Sequence, residues 1–204
     1  MAHILQKAIF KQAPGIDTQW QEGGRIMGEI LVVVDMQKDF IDGALGSKEA
    51  VAVIDNVVNK INEFNGVIIV TYDTHFDNYM ETREGKYLPI PHCIKGTDGW
   101  QLNDRVQKAL DSKNNYVMIH KPTFGSAELV DKICEYWDGE KDTEVTLIGL
   151  CTDICVVSNA MLLKANYPEM NISVDAACCA GVTPESHQAA LTTMKMCQID
   201  VIGE

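Results

Sequence analysis

From residue 29 onward the chain alternates between short apolar runs and longer stretches in which apolar residues recur every three to four positions. Ile30 to Asp35 is an almost unbroken apolar run, the mark of a strand buried on both faces. Lys48 to Phe64 carries Val51, Ile54, Val58 and Ile61 at the spacing of one helical face, and Gly66 to Tyr72 is a second strand rich in valine and isoleucine. A long loop runs from there to Gly99. The same reading predicts helices at Leu102 to Asp111, Ala127 to Trp137, Asp153 to Lys164 and Pro184 to Met196. It predicts strands at Tyr116 to His120, Glu144 to Leu150, Asn171 to Asp175 and Ile199 to Ile202. Thr183 before Pro184 is a strong helix start, a capping hydroxyl followed by proline at the first helical position. Strands alternating with amphipathic helices mean an α/β fold: a doubly wound, mostly parallel six-stranded sheet in a three-layer α-β-α sandwich. Residues 1–28, punctuated by Pro14-Gly15 and Gly23-Gly24, read as an N-terminal extension, and 29–204 as a single domain.

In such a sheet, ligands bind outside the carboxyl ends of the strands, where the strand order reverses. That rule singles out Asp35 after the first strand, Asp73 and His75 after the second, Lys121 after the third and Cys155 shortly after the fourth. Cys155 falls in the first turn of a predicted helix, in Gly149-Leu150-Cys151-Thr152-Asp153-Ile154-Cys155. The positive end of a helix favours a thiolate and an oxyanion, which makes Cys155 a candidate nucleophile; a buried structural thiol is the plainer alternative. Taken singly, Asp35 reads as a loop carboxylate and Lys121 as a solvated lysine. Together the three offer a base for the thiol proton and a cation for the resulting anion, without histidine.

Composition narrows the setting. The chain has 204 residues, 46% of them hydrophobic, enough for one sizeable core. A formal net charge of -12 with scattered basic residues argues against nucleic acid and anionic membrane as partners. The uncharged runs are too short for a transmembrane helix, and the first residues lack the apolar core of a secretory signal. Seven cysteines with no framework spacing fit a reducing compartment, so the cytoplasm is the expected location. Cys151 and Cys155 lack the C-x-x-C spacing of a thioredoxin-like pair; Cys93, Cys134, Cys178, Cys179 and Cys197 are read as structural. His187, on a predicted helix, is read as a surface or packing residue.

Three segments carry a resemblance. Asp35-Met36-Gln37-Lys38-Asp39-Phe40, His120-Lys121-Pro122 with Phe124-Gly125-Ser126, and Gly149 to Val156 are similar, in order and spacing, to the signature segments of the isochorismatase-like cysteine hydrolases. The similarity runs from about Glu29 to the C-terminus and includes the Gly181-Val182-Thr183-Pro184-Glu185 turn. It implies Asp35 as base, Lys121 as the charge-stabilising member of a triad and Cys155 as nucleophile. It also implies a cis peptide between Leu150 and Cys151, with the N–H groups of Cys151 and Cys155 as oxyanion hole. Asp73-x-His75 and Pro91-His92-Cys93 followed by Lys95-Gly96-Thr97 resemble the metal-binding segments of the nicotinamidase branch. That branch usually has one more ligand between them; Glu84 is the choice here and Glu81 its competitor. The resemblance implies a divalent metal, zinc first with iron or manganese as alternatives, and no organic cofactor.

The expected function is metal-assisted hydrolysis of a small-molecule amide, nicotinamide to nicotinate and ammonia, with a place in NAD salvage. Phe40 and Phe124 are the expected ring-flanking residues, with a role as core aromatics standing beside it, and Trp100 and Tyr87 as alternative ring partners. A homo-oligomer is expected. Two other readings stand alongside: another activity of this fold, on an isochorismate vinyl ether or an N-carbamoyl or ureido amide, and a binding protein on the same fold without catalysis.

Overall fold

A computed structural model describes residues 28–113, 116–137 and 143–204, so the expected extension at 1–28 lies outside the described residues except for Gly28. Six strands form one sheet: β1 (Glu29–Val34), β2 (Val67–Asp73), β3 (Tyr116–Lys121), β4 (Glu144–Leu150), β5 (Asn171–Ala180) and β6 (Asp200–Ile202). Every pairing is parallel and the order is β3-β2-β1-β4-β5-β6, so the order reverses between β1 and β4.

Parallel strands are covered on both faces, and the residues of β1 split accordingly. Ile30, Val32 and Val34 face one apolar cluster; Leu31 and Val33 face the other. The first cluster is closed by α6 (Ala127–Tyr136), α7 (Val157–Asn166) and α8 (Pro184–Met196) through residues such as Leu129, Leu163 and Leu191. The second is closed by α1 (Lys38–Ile41), α2 (Lys48–Ala52), α3 (Ile54–Glu63) and α5 (Asp104–Asp111), with Ile41, Val57, Ile61 and Leu110 buried. A short α4 (Arg83–Tyr87) and a 3₁₀ turn at Tyr79–Glu81 lie in the long loop after β2.

Local differences from the sequence reading have identifiable causes. The single helix expected from Lys48 to Phe64 is broken at Val53, where the N–H turns back to the carbonyl of Val51 and a new helix starts. Strand β5 runs five residues past the expected end at Asp175. Its pairing advances from Val174 to Cys179 while β4 advances only from Leu147 to Gly149, a bulge that hides the alternation from a sequence scan. The helix expected from Asp153 begins as a π-helical turn, Thr152–Val156, in which the Val156 N–H donates to the Cys151 carbonyl 3.0 Å away. Such turns recur at functional sites because they displace a side chain from the regular helical path.

One glycine sets the approach of the two central strands. Gly149 has φ +114°, and a Cβ there would lie 2.1 Å from the Val34 carbonyl oxygen. The missing side chain lets the carboxyl ends of β1 and β4 close on each other, one residue before Asp35 and two before Cys151. We expect Gly149→Ala to destabilise the fold by about 3 kcal/mol or more, from the disfavoured φ and the backbone collision together. Urea denaturation measures this, and a loss below about 1 kcal/mol would contradict the close approach.

Candidate active site

The carboxyl ends of β1, β2 and β3 and the turn after β4 meet around one buried ammonium. Lys121 is 1% exposed, and its Nζ lies 2.7 Å from Asp35 Oδ2, 3.5 Å from Cys155 Sγ and 3.5 Å from Asp73 Oδ1, while donating to the Thr123 carbonyl at 3.1 Å. Strand register brings this about, because Asp73 and Lys121 are directly paired residues of β2 and β3. Asp35 follows β1 with φ +48°, its N–H donating to the Thr71 carbonyl, and the Thr71 hydroxyl donates to Asp35 Oδ1 at 2.7 Å.

Burial dominates the ionisation of this group. It raises the Asp35 carboxyl, with the Lys121 ammonium opposing and the Asp73 carboxylate adding to the rise. The Cys155 thiol is pushed well above its ordinary range by burial and then by the Asp35 carboxylate, with Lys121 opposing. Lys121 goes the other way: burial would lower it, and the Asp35 and Asp73 carboxylates outweigh that and keep it charged. At rest Cys155, the candidate nucleophile, is therefore a thiol. The helix-end field invoked from sequence is outweighed by desolvation, since Cys155 is 5% exposed. The Cys151 thiol is likewise raised, to about 12, by burial. The Leu150–Cys151 peptide is cis.

Next to Lys121 stands a second cluster. Single donor atoms of Asp73, His75, Glu84 and His92 all lie within 4.8 Å of one another. His75 Nε2 is 3.1 Å from Asp73 Oδ2 and 3.6 Å from Glu84 Oε1; His92 Nε2 is 3.6 Å from each of the same two oxygens. Metal–ligand bonds of ~2.0 to 2.2 Å require adjacent donors ~3 to 3.5 Å apart, so the four atoms fit around one cation. His92 Nδ1 is 2.9 Å from the Ile90 carbonyl, the backbone contact that directs the opposite nitrogen at a metal. Burial would raise Asp73, but hydrogen bonds from His75 and His92 and the Lys121 charge hold it well below the ordinary carboxylate range. Glu84 is raised, first by burial and then by Asp73. Glu81 is exposed in the 3₁₀ turn and is not among the four clustered groups.

A cavity of about 650 Å³ opens on this cluster, with His75 and Glu84 on one side, Phe124, Pro122 and Thr123 on another, and Ile154 beside the nucleophile. Tyr87 also lines it, 78% exposed. Phe40 does not; its ring packs 5.4 Å from His92, within the core. Trp100 stacks on His120 and donates from Nε1 to the Thr74 hydroxyl, and it is not among the residues lining the cavity. His187 Nδ1 sits 2.8 Å from the Thr152 hydroxyl, and burial lowers its pKa.

Several residues that hold this site did not stand out in the sequence. Thr71 orients Asp35. Asn159, one turn after Cys155 and fully buried, donates to the Cys155 carbonyl at 2.8 Å and accepts from Ser126 N–H at 2.9 Å, tying the nucleophile's helix to the start of α6. The available signal was a polar residue on an otherwise apolar helical face beside Val156, Ala160 and Leu163.

Fold and site together define a hydrolase built on a doubly wound sheet, with its reactive groups at the switch point. Residues 29–203 match the isochorismatase domain, and the chain belongs to that family. It is 32% identical over 178 residues to an uncharacterized isochorismatase family protein, PncA, of Bacillus subtilis, covering 81% of this chain and 93% of that one. The crystal structure of the nicotinamidase PncA from Bacillus subtilis superposes with a TM-score of 0.75 at 26% identity, covering 86% of this chain and 99% of that one. The structure of the pyrazinamidase of Pyrococcus horikoshii in complex with zinc superposes with a TM-score of 0.70 at 27% identity, covering 87% and 99%. Among the described residues no helix is long and apolar enough to cross a membrane.

Two outcomes are expected. Alkylation of Cys155 by iodoacetamide should rise steadily through pH 9 without a plateau, since the thiol is raised; a plateau near pH 6 to 7, followed by mass spectrometry, would show a thiolate at rest. Lys121→Met should cost about 3 to 5 kcal/mol at pH 7 by leaving buried carboxylates unpaired. Denaturation curves should show a smaller cost at pH 5: without the opposing Lys121 ammonium the folded-state pKa of Asp35 rises further above its unfolded value than in wild type, so proton uptake favours the folded variant more than the wild type as pH falls.

Proposed function

We propose that this isochorismatase-family hydrolase deamidates nicotinamide to nicotinate and ammonia through an acyl-thioester on Cys155. The observation that carries the reading is the 3.5 Å contact between Lys121 Nζ and Asp73 Oδ1, which joins a cysteine, a base and a metal cradle into one site. The similar nicotinamidase and pyrazinamidase structures, one of them bound to zinc, support the same choice of substrate class and metal.

Asp73, His75, Glu84 and His92 would hold the divalent metal, zinc first with iron or manganese as alternatives. When bound, it supplies a Lewis-acid anchor for the pyridine nitrogen and so orients the carboxamide. Phe124 offers a ring face at the cavity wall. Asp35 takes the proton of Cys155, and the sulfur attacks the amide carbon, moving the carbonyl electrons onto oxygen. The N–H groups of Cys151 and Cys155 stabilise that oxyanion. Collapse breaks the C–N bond, and Asp35 returns its proton to the nitrogen, releasing ammonia and leaving the acyl-thioester. Asp35 then deprotonates water for attack on the thioester; the proton goes back to sulfur, and nicotinic acid leaves and gives up its carboxyl proton to the released ammonia, becoming nicotinate. Throughout, the negative charge moves between Asp35 and Sγ, both within reach of the Lys121 ammonium. Phe40 serves this site from behind His92 rather than as a ring partner.

The reading extends to NAD salvage in the cytoplasm by a homo-oligomer. Isochorismate hydrolysis is the competing activity, and the four-donor cradle favours the amide, because a vinyl ether without a ring nitrogen has no use for it. Purified protein with zinc should release ammonia from nicotinamide; Cys155→Ala should lower the rate at least 10³-fold, and a chelator should lower it reversibly. Release of pyruvate from isochorismate, with no ammonia from nicotinamide or pyrazinamide, would overturn the proposal.

A further inference from the structure

We propose that Gln37 and Asp39, two polar residues of the segment that also carries Asp35, are positioning residues for the metal cradle. The inference rests on the metal reading above and concerns how donors from three separate segments are held in place. Asp73 ends a strand, Glu84 lies in a short helix and His92 in a loop, so no single element fixes all of them.

Gln37 has no exposed surface. Its Oε1 accepts from the Asp73 N–H at 2.8 Å, while its Nε2 donates to the Asp73 carbonyl and to the Trp100 carbonyl, each at 2.9 Å. The side-chain amide thus closes a two-point clamp on the backbone of one donor. It also ties that donor to the far end of the long loop. Asp39 does the same for the other side of the cradle: its Oδ2 accepts from the Cys93 N–H at 2.7 Å, next to His92, and Oδ1 accepts from the Ala44 N–H at 3.3 Å. Cys93 is fully buried with φ +47°, and its carbonyl accepts from the His75 N–H at 3.0 Å. Asp39 therefore anchors the crossing at which both histidine segments meet. The carboxylate fits only because residue 99 is glycine; a Cβ there would lie 2.3 Å from its atoms. Phe40 completes the support from below the His92 ring.

One hexapeptide thus carries the catalytic carboxylate at its start and sets both flanks of the cradle with its next polar side chains. Partners of metal ligands commonly change affinity 10- to 100-fold when removed, and a two-point backbone clamp falls in that range.

The test is zinc affinity by competition with a chromophoric chelator, in the full chain. Gln37→Met and Asp39→Ala should each weaken the affinity 10- to 100-fold. Asp39→Asn keeps an acceptor for the Cys93 N–H and should stay within about threefold of wild type. Thr146→Val removes a buried hydrogen bond to Ser173 on the opposite part of the sheet, at 3.0 Å, and should leave affinity unchanged. Iodoacetamide labelling of the metal-free variants should match wild type, showing an undisturbed Cys155. If Gln37→Met fails to fold, the Asp39 pair decides alone. Affinities within twofold of wild type for both removals, or an equal loss in Thr146→Val, would overturn the inference while leaving the metal reading intact. Failure of wild type to bind zinc, iron or manganese would overturn both.

Discussion

The structure turns on a single ammonium group. A lysine removed from water sheds its proton unless carboxylates compensate, and the penalty for leaving it unpaired is several kcal/mol. Lys121 is compensated on three sides, by Asp35, Asp73 and the carbonyl of Thr123, and each of those comes from a different stretch of chain. The compensation works only if β1, β2 and β3 end at the same level. Register between β2 and β3 supplies one contact, the close approach of β1 and β4 at Gly149 brings the nucleophile to the same level, and the sheet order places both at the point of reversal. Misplacing any of these ends would leave a buried charge without its partner.

The same charge logic links the two halves of the site. With Asp35, Asp73 and Glu84 ionised and Lys121 protonated, the cluster carries two net negative charges, which a divalent cation would neutralise. Asp73 is the hinge of this balance, because Oδ1 faces Lys121 and Oδ2 faces the two imidazoles. One carboxylate therefore serves the nucleophile's counter-charge and the cradle together. That sharing explains why a cradle drawn from a strand end, a short helix and the long loop sits against the sheet rather than farther out, where solvent would screen it.

Much of this was legible in the residues, for reasons that differ by element. The strands and the long helices announce themselves because burial on two faces or one imposes a period, as in Ile30–Val34 and Ile54–Ile61. Asp35, Asp73, His75, Lys121 and Cys155 follow from a topological rule that converts strand ends into neighbours. What escaped has no period: α1 and α4 are four and five residues long, and the β5 bulge interrupts alternation at Ala176-Ala177-Cys178. Glu84 and Glu81 are three residues apart, and only the start of α4, capped by the Thr82 hydroxyl, turns Glu84 toward the histidines. Gln37 and Asp39 act mainly through backbone groups far away in sequence, so nothing in their own neighbourhood marks them, and Asn159 left only a polar break in an apolar helical face. Phe40 stood open between ring partner and core aromatic, and what the structure adds is its packing against His92 within the core.

The state of Cys155 bears on the base that the proposed mechanism assigns to Asp35. A cysteine at a helix start suggested a thiolate generated by the local field, yet full burial and the neighbouring carboxylate keep Cys155 protonated. Burial raises Asp35 as well. A proton passing from sulfur to carboxylate meets donor and acceptor shifted in the same direction, so burial widens the gap between them less than the rise of the thiol alone would. Lys121, 2.7 Å from one group and 3.5 Å from the other, stabilises the negative charge on both sides of that transfer. The low dielectric that makes the thiol inert at rest thus makes the pair responsive, and a carboxylate replaces the histidine that a solvent-exposed cysteine would need.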